Sequence, residues 1–252
     1  MILVPAAVVR NIKSAAAEEN EKRVTDYDHS GYGEQAKERK MAELGKKEQL
    51  VFEITQFEWD MFQHVYNTGG RASCQDNPDT FFKMRMSQWL AYSEEVLESY
   101  KADCVKAIEN GDNLLWQKYA RMMETTYPEE YENVKQYLPE ISTESREKIE
   151  EIVKIHVEWD SFMAKHYPNI RKRGRVATTG EDDPAAGSSM ESYLRCELMS
   201  YSEKTRDLIW QETKEAYARG ENTLREIIAN ETRFYGYETL DEAEKKHGEI
   251  RI

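Results

Sequence analysis

Three short strings recur in the same order in the two halves of this chain. Two of them return after 109 positions and one returns after 100, which confines the length difference between the halves to a single connection. Ordered recurrence of this kind predicts an internal duplication. The paired strings are EWD at 58–60 and 158–160, YSE at 92–94 and 201–203, and GDNLL at 111–115 with GENTL at 220–224.

Apolar side chains recur at helical spacing from residue 50 onward, as in Leu50, Ile54 and Phe57. This pattern indicates a helix with one face in a core. With 12 glycines and 6 prolines in 252 residues, the chain has too few turn-forming residues for a β-rich fold. We therefore predict an all-α protein in which two tandem helical repeats pack into one pseudo-twofold domain. The predicted segments are a polar N-terminal tail at 1–47, a first repeat at 48–140 and a second repeat at 141–252.

Proline, glycine and capping side chains mark the expected helix boundaries. After Pro78, either Asp79 or Thr80 is predicted to cap a second helix, whose apolar positions continue as far as Tyr100. Gly111 is predicted to end the helical segment in a left-handed conformation, because glycine has no side chain to clash there.

The charge balance disfavours one class of partner. The formal net charge is −13, and nucleic-acid binding needs concentrated lysine and arginine, so no nucleic-acid partner is expected. The one strong basic run, at 171–175, is followed at once by Glu181, Asp182 and Asp183. We interpret that run as a solvated loop, with a phosphate or acidic-ligand site as the alternative.

Cysteine usage and hydropathy indicate the compartment. Cys74, Cys104 and Cys196 cannot all pair, and they lack the close spacing of a zinc site, which fits a reducing environment. The apolar opening stretch is shorter than a secretory signal with its cleavage site, and no apolar run approaches transmembrane length. A cytoplasmic location without a membrane partner is therefore expected.

The connection between the first and second helices differs between the two copies. The first copy has GGRASCQDNPDTF at 69–81, and the second has RGRVATTGEDDPAAGSSM at 173–190, without cysteine or glutamine. Residues that both copies keep are expected to serve packing, and residues that one copy keeps are expected to serve chemistry. The loop at 67–80 is therefore the predicted functional region.

The helix after this loop carries an unusual polar stripe. Helical side chains tilt towards the N-terminus, so Arg85 and Gln88 are expected to lean towards Arg71 and Cys74. The aligned stripe of the second copy has neither an arginine nor a glutamine. The stripes are Phe81, Arg85, Gln88, Tyr92 and Glu95 in the first copy and Met190, Leu194, Glu197, Tyr201 and Lys204 in the second.

These features predict a site for a small polar or anionic molecule, because arginines and loop amides near a helix start attract negative charge. An alternative stays open for two of the residues. Arg85 could form a buried ion pair with Glu58 or Asp60, and Gln88 could cap loop carbonyls. The predicted ligand-binding residues are Arg71, Ser73, Gln75, Arg85, Gln88, Tyr92 and Trp59.

Cys74 is the candidate nucleophile, because arginine side chains and a helix N-terminus nearby favour a thiolate. His64 would be its general base, oriented by Asp60 one turn earlier. A cysteine that lines the pocket without reacting is the alternative. A metal site formed by Asp60, His64, Glu58 and Cys74 is not favoured, because the helices lack the Glu-x-x-His repeat of di-iron bundles. The sequence assigns no cofactor.

Two strings, GGRASCQ at 69–75 and FFKMRMSQ at 81–88, carry a resemblance to a known family. Over about residues 48–243 the chain resembles an uncharacterised bacterial family known as domain of unknown function 4125. The resemblance implies a helical fold and a bacterial cytoplasmic setting, and it implies no activity. The N-terminal tail lies outside it.

A non-catalytic interaction scaffold is the alternative function, because acidic helical surfaces and a charged tail suit a protein partner. The burial of the loop discriminates between the two hypotheses. A concave pocket that encloses Arg85 and Gln88 favours ligand binding, whereas a fully exposed loop favours the scaffold. The sequence leaves open whether the protein is an enzyme.

Overall fold

The computed structural model of the chain describes residues 45–66, 70–183 and 187–249. Every regular element in these ranges is a helix, apart from one isolated bridge between Asp183 and Gly187. The predicted all-α class is therefore confirmed for the described residues. The predicted tail at 1–47 falls almost wholly outside these ranges, as do residues 67–69 of the predicted functional loop.

The described residues form eleven α-helices and three short 3₁₀ helices. None of the described helices is both long enough and apolar enough to cross a lipid bilayer. The α-helices are α1 (Lys46–Gln63), α2 (Pro78–Trp89), α3 (Glu94–Asn110), α4 (Leu114–Thr126), α5 (Pro128–Val134), α6 (Thr143–His166), α7 (Pro168–Arg171), α8 (Met190–Leu198), α9 (Glu203–Ala218), α10 (Thr223–Phe234) and α11 (Leu240–Glu249), and the 3₁₀ helices are Ser73–Asp76, Lys135–Tyr137 and Thr179–Glu181.

Each half of the chain has a long first helix around which other helices pack. Helix α1 contacts α2, α3 and α4, and α6 contacts α8, α9 and α10. Three further contacts join the halves, since α2 packs on α10, α4 on α8, and α3 on α9. One apolar core therefore runs through both halves, and its burial is the main favourable contribution to folding. Its fully buried members include Val51, Ile54, Val96, Leu97, Ile149 and Ile152.

The predicted length of the second helix is wrong. The apolar pattern continues to Tyr100, but α2 ends at Trp89 and α3 starts after a short turn. The Ser93 hydroxyl accepts a hydrogen bond from the Val96 amide at 3.3 Å, which caps the start of α3. A new helix start thus interrupts the helical spacing. The predicted stripe does not lie on one helix face beyond α2, and its member Tyr92 lies in the turn.

The predicted start of α2 is wrong in its capping residue, whereas the predicted end of α3 is confirmed. Asn77 caps α2, rather than Asp79 or Thr80, because its side-chain oxygen accepts a hydrogen bond from the Thr80 amide at 3.2 Å. Pro78 takes the first helical position, where its fixed φ suits the helix and its missing N–H costs nothing. Gly111 follows α3 in the left-handed conformation, with φ of 69°, as predicted.

The match between the two EWD strings is out of register in three dimensions. Glu58 is fully buried whereas Glu158 is exposed, and Trp59 is half-buried whereas Trp159 is buried. The buried positions of α1 and α6 coincide when Glu58 is paired with His156 instead. The equivalence of the two tryptophans is therefore wrong, because the face of the helix that meets the core decides which residues correspond.

The basic run at 171–175 is an exposed, non-helical segment from Lys172 onward, as predicted, but its first and last arginines contact the helical body. Arg171 ends α7, and its Nε donates to the Asp160 carboxylate at 2.5 Å, with both side chains largely buried. The guanidinium of Arg175 lies 4.6 Å from the centre of the Tyr193 ring. Both ends of the run are thus attached to the helical body.

Candidate functional site

Gln75 closes the predicted loop onto the end of α1. Its side chain is buried, and its Nε2 donates to the carbonyls of Phe62 and Val65 at 2.8 and 2.9 Å. Its Oε1 accepts a hydrogen bond from the Ala72 amide at 3.0 Å. The last carbonyls of a helix lack the amide four residues later as a partner, and this side chain binds one of them, on Phe62, and a second carbonyl just beyond the helix end, on Val65. Gln75 therefore fixes the loop, and its amide donors are occupied.

Arg71 clamps the same loop from the outside. Its Nε donates to the Asp76 carboxylate at 2.6 Å, and its Nη2 donates to the Gln75 carbonyl at 2.6 Å and to the side chain of Gln63. The side chain is 46% exposed, so part of the guanidinium still faces solvent. Arg71 thus supports the loop and also contributes positive charge to its surface.

The fixed loop presents two small polar side chains to solvent. Ser73 and Cys74 lie in the 3₁₀ helix, and both are exposed. The other two cysteines are buried, and burial raises the pKa of Cys196 to about 12 and that of Cys104 well above its usual value. Cys74 is therefore the one described cysteine that a reagent or ligand in solution reaches directly.

His64 and Asp60 lie at the same end of α1 as this loop. The His64 Nδ1 is 2.7 Å from the Asp60 carbonyl oxygen and 4.0 Å from the Asp60 carboxylate. The backbone carbonyl is therefore the nearer partner that orients the imidazole ring. The relay of Cys74, His64 and Asp60 stays a prediction.

Arg85 forms the buried ion pair with Glu58 that was the open alternative. Its Nε donates to the Glu58 carboxylate at 2.8 Å, and its Nη2 donates to the second carboxylate oxygen. The same carboxylate accepts hydrogen bonds from the Trp89 indole at 3.1 Å and from the Tyr100 hydroxyl at 3.0 Å. Glu58 is thus enclosed by donors and has no exposed surface.

The buried network extends into the second half of the chain through Glu197. This carboxylate lies 2.7 Å from the Arg85 Nη1 and 3.3 Å from the Lys118 Nζ, and it accepts a hydrogen bond from Gln88 at 2.9 Å. Two carboxylates therefore face two cations. We call Glu58, Arg85, Gln88, Lys118 and Glu197 the buried network.

The charges of the buried network stabilise one another. Burial by itself would raise the pKa of Glu197, but Arg85, Lys118 and the hydrogen bond from Gln88 lower it to about 2. Burial would likewise lower the pKa of Lys118, but Tyr193 and Glu197 raise it. Both groups are therefore ionised at neutral pH, and their mutual attraction offsets part of the cost of removing them from water.

Sequence comparison missed Glu197 and Lys118 as members of this group. Glu197 is aligned with Gln88 in the two stripes, and from the sequence alone the replacement of glutamine by glutamate predicts that the second copy lacks the polar site. In the structure the two side chains bind each other. The sequence does contain a signal for the ion pair of Glu197 with Lys118, because Glu197 lies among residues that are expected to be buried. A buried carboxylate needs a partner of opposite charge.

Trp59 and Tyr92 serve packing. The Trp59 ring lies 5.1 Å from Phe81 and 6.2 Å from Phe62, which joins α1 to α2. Tyr92 is buried beside Trp89, with ring centres 5.9 Å apart, and burial together with Glu197 raises its pKa. Aromatic contacts of this kind stabilise the core beyond the area that they bury.

A group of cations and phenols lies where α4 meets α8. The Lys118 Nζ donates to the Tyr193 hydroxyl at 2.8 Å and lies 5.1 Å from the centre of the Tyr119 ring, while Arg175 stacks on Tyr193. Burial raises the pKa of Tyr119 to about 12, Lys118 and Arg175 oppose this shift, and Tyr193 and Cys74 raise the pKa further. We call Lys118, Tyr119, Arg175 and Tyr193 the phenol cluster, and the exposed Cys74 lies within electrostatic range of Tyr119.

The predicted site residues therefore separate into two groups. Arg85 and Gln88 belong to the buried network, whereas Arg71, Ser73 and Cys74 lie on the exposed loop. Two shallow surface depressions of about 410 and 260 Å³ lie along α6, and no predicted site residue lines either. Within the described ranges, no group of three or more His, Cys, Asp or Glu side chains is arranged to hold a metal ion.

The match with a family profile decides the relationship of this chain to known proteins. The profile is described as a protein of unknown function, DUF4125, and it matches residues 48–245. The chain belongs to this family. The DUF4125 match runs from α1 into α11, so both halves of the fold lie within it. No curated protein and no solved structure matches the chain.

Proposed function

We propose that this DUF4125 protein binds a small anionic molecule between the loop at 70–77 and the phenol cluster, with Cys74 beside the bound molecule. The observations that carry the proposal are the exposed thiol on a loop clamped by Arg71 and the packed set of two cations and two phenols, together with the electrostatic effect of Cys74 on Tyr119. Arginine and lysine side chains hold carboxylate or phosphate groups, and phenol hydroxyls donate further hydrogen bonds. Catalysis by Cys74 is not required, because a thiol that lines the site satisfies the proposal.

The proposal includes two tandem repeats that pack about a pseudo-twofold axis. The Ser202 amide donates to the Asp103 carboxylate at 3.0 Å, and the Ser93 amide donates to the Glu212 carboxylate at 3.3 Å. The serines are 109 positions apart, and so are the two acidic residues, which makes the hydrogen bonds reciprocal. The contacts of α2 with α10 and of α8 with α4 are reciprocal in the same way, and α3 meets its counterpart α9.

The two reciprocal interfaces differ in chemistry, and this difference supports a site at one of them. The interface of α2 with α10 has apolar side chains at the positions where the interface of α4 with α8 has the phenol cluster. Lys118 also neutralises Glu197 in the buried network, whereas Tyr119 and Tyr193 form no ion pair among the described residues, and their hydroxyl groups support a polar ligand at this interface. The corresponding pairs are Met84 and Tyr193, Ile227 and Lys118, and Ile228 and Tyr119.

Alkylation of Cys74 by iodoacetamide, followed by mass spectrometry, tests the proposal. Cys104 and Cys196 are buried and serve as internal controls within the same sample. We expect malate or citrate to slow the modification of Cys74 at least about threefold. Arg175→Ala is expected to remove the protection, and Arg173→Ala, which changes an exposed arginine of the same run, is expected to keep it. Equal rates with and without every anion would contradict the proposal.

The interaction scaffold is the alternative that this experiment separates. For a scaffold, small anions leave the alkylation rate of Cys74 unchanged. Deletion of residues 1–44 then removes a protein partner in pull-down experiments, while Cys74→Ser retains it.

A further inference from the structure

Three arginines from three helices converge on the connection that leads into α6. Each of them donates a hydrogen bond to a residue within 139–145. The bonds run from Arg121 Nη2 to the Pro139 carbonyl at 2.6 Å, from Arg146 Nε to the Ile141 carbonyl at 3.3 Å, and from Arg206 Nη2 to the Ser145 hydroxyl at 3.3 Å. We call these three side chains the arginine cluster.

Two members of the arginine cluster are buried without a counter-charge. Arg121 is 5% exposed and Arg206 is 7% exposed, and the Nε of each is buried with no hydrogen-bond partner. Within the described residues, no carboxylate forms an ion pair with either of them or with Arg146. Arg85 is equally buried, yet it faces two carboxylates.

Two of the three acidic residues that act electrostatically on Arg206 have other partners. Glu203, Asp103 and Asp207 raise the pKa of Arg206, but burial has the larger effect and lowers it. Asp207 pairs with Lys148 at 2.9 Å, and Asp103 accepts the hydrogen bonds from the start of α9. These carboxylates therefore do not neutralise the cluster at contact distance.

A buried guanidinium in this situation is costly. Burial lowers the pKa of Arg121, and the charges of Arg146 and Arg206 lower it further. Arginine nevertheless keeps its proton in proteins, so the cost cannot be relieved by deprotonation. An uncompensated buried charge is unfavourable by several kcal/mol, which leaves a bound anion as the remaining source of compensation.

We propose that Arg121, Arg146 and Arg206 form a binding site for a small phosphate-bearing anion at the N-terminal end of α6. The uncompensated charges of Arg121 and Arg206 supply positive potential, and the first turn of this 24-residue helix adds to it. A phosphate dianion matches the cluster better than a monocarboxylate, because its several oxygens accept from more than one guanidinium and it carries more charge. Arg146 is exposed and marks the side from which the anion enters.

This site is separate from the one beside Cys74, because the two share no residue. Their tests are separable for the same reason. Arg146→Ala alters the arginine cluster on its exposed side, and Arg175→Ala alters only the phenol cluster. Arg225→Ala changes an exposed arginine on α10 that belongs to neither site.

Isothermal titration of the full chain with sodium phosphate, at constant ionic strength set by sodium chloride, tests this inference. We expect the wild type to bind phosphate, Arg146→Ala to weaken binding at least tenfold, and Arg175→Ala and Arg225→Ala to leave it unchanged. Absence of binding to the wild type, or wild-type affinity in Arg146→Ala, would overturn the inference. A loss confined to Arg175→Ala would overturn it as well, because the phosphate would then occupy the other site.

Thermal melting of Arg121→Met in phosphate-free buffer gives a second readout. Removal of an uncompensated buried charge is expected to leave the melting temperature unchanged or to raise it, while phosphate affinity is lost. A large fall in the melting temperature in that buffer would show that the guanidinium is a structural group, and this outcome would overturn the inference.

Discussion

The guanidinium of Arg85 binds both carboxylate oxygens of Glu58, with Nε 2.8 Å from Oε2, in a place where both side chains are buried. Removing one partner of such a pair leaves the other buried and unpaired, at a cost of about 3–5 kcal/mol. Arg85→Ala is therefore expected to lower the free energy of unfolding by about that amount in a urea titration. Lys135→Ala, which removes an exposed ion pair with Glu132, is the matched control and is expected to change little. Equal effects of the two substitutions would contradict the structural role of the pair.

His156 makes stability depend on pH. It is buried with an unpartnered Nε2, and burial lowers its pKa to about 4. Histidine in an unfolded chain has a pKa of about 6.5. Between the folded and unfolded pKa values, the unfolded state therefore binds more protons than the folded state. Stability therefore falls as the pH drops from about 6.5 to about 4, by up to about 3 kcal/mol.

His156→Leu is expected to remove this part of the pH dependence. Urea titrations at about pH 7 and at about pH 5 measure the free energy of unfolding on either side of the pKa of an unfolded histidine. His166→Gln changes an exposed histidine at the end of the same helix and is expected to keep the wild-type slope. A slope in His156→Leu as steep as in the wild type would assign the effect to other groups.

Gln75 is expected to control the order of the loop that carries Cys74. Gln75→Ala leaves the buried carbonyls of Phe62 and Val65 without their side-chain donor, at a cost of about 1–3 kcal/mol. We expect lower stability in urea and faster alkylation of Cys74, because the loop loses its attachment to α1. Gln136→Ala, at an exposed glutamine, is expected to alter neither quantity. An unchanged alkylation rate in Gln75→Ala would show that the loop is held by Arg71 instead.

The reciprocal hydrogen bonds across the two halves are expected to differ in strength. Asp103 accepts from the Ser202 amide at 3.0 Å and from the Thr205 hydroxyl at 2.7 Å, whereas Glu212 accepts from the Ser93 amide at 3.3 Å in an exposed place. Asp103→Ala is expected to lower the free energy of unfolding by about 1–2 kcal/mol, and Glu212→Ala by less than about 0.5 kcal/mol. Urea titration of both variants measures this, and the opposite order would contradict the packing described for α3 and α9.

The sequence predicts the helical class and several helix ends, because these depend on local chemistry. Gly111 ends a helix where its left-handed conformation was expected. The break before Ser93 was missed although its signal was present, since a serine followed by two glutamates is a typical helix start. Apolar periodicity continued through that turn and outweighed the local signal. The local capping signal at Ser93 therefore marks this helix start better than the apolar periodicity does.

The partners of the buried charges could not be predicted in the same way. The ion pair of Arg85 with Glu58 was one of two interpretations, and nothing local decides between them. Its link to Glu197 crosses to the other half of the chain, and a single sequence does not specify which helix faces meet over such a separation. The correspondence between the two EWD strings could not be decided from the sequence either. The buried faces of α1 and α6 decide which of their residues correspond, and these faces are known only from the packed structure.

Calorimetric titration of the full chain with malate and with citrate tests the central claim most directly, because it measures anion binding without relying on reaction of the Cys74 thiol. At least one of these anions is expected to bind the wild type with an affinity that Arg175→Ala lowers at least tenfold and that Arg173→Ala leaves unchanged. The account is contradicted if no anion binds, or if Arg175→Ala binds every anion as tightly as the wild type.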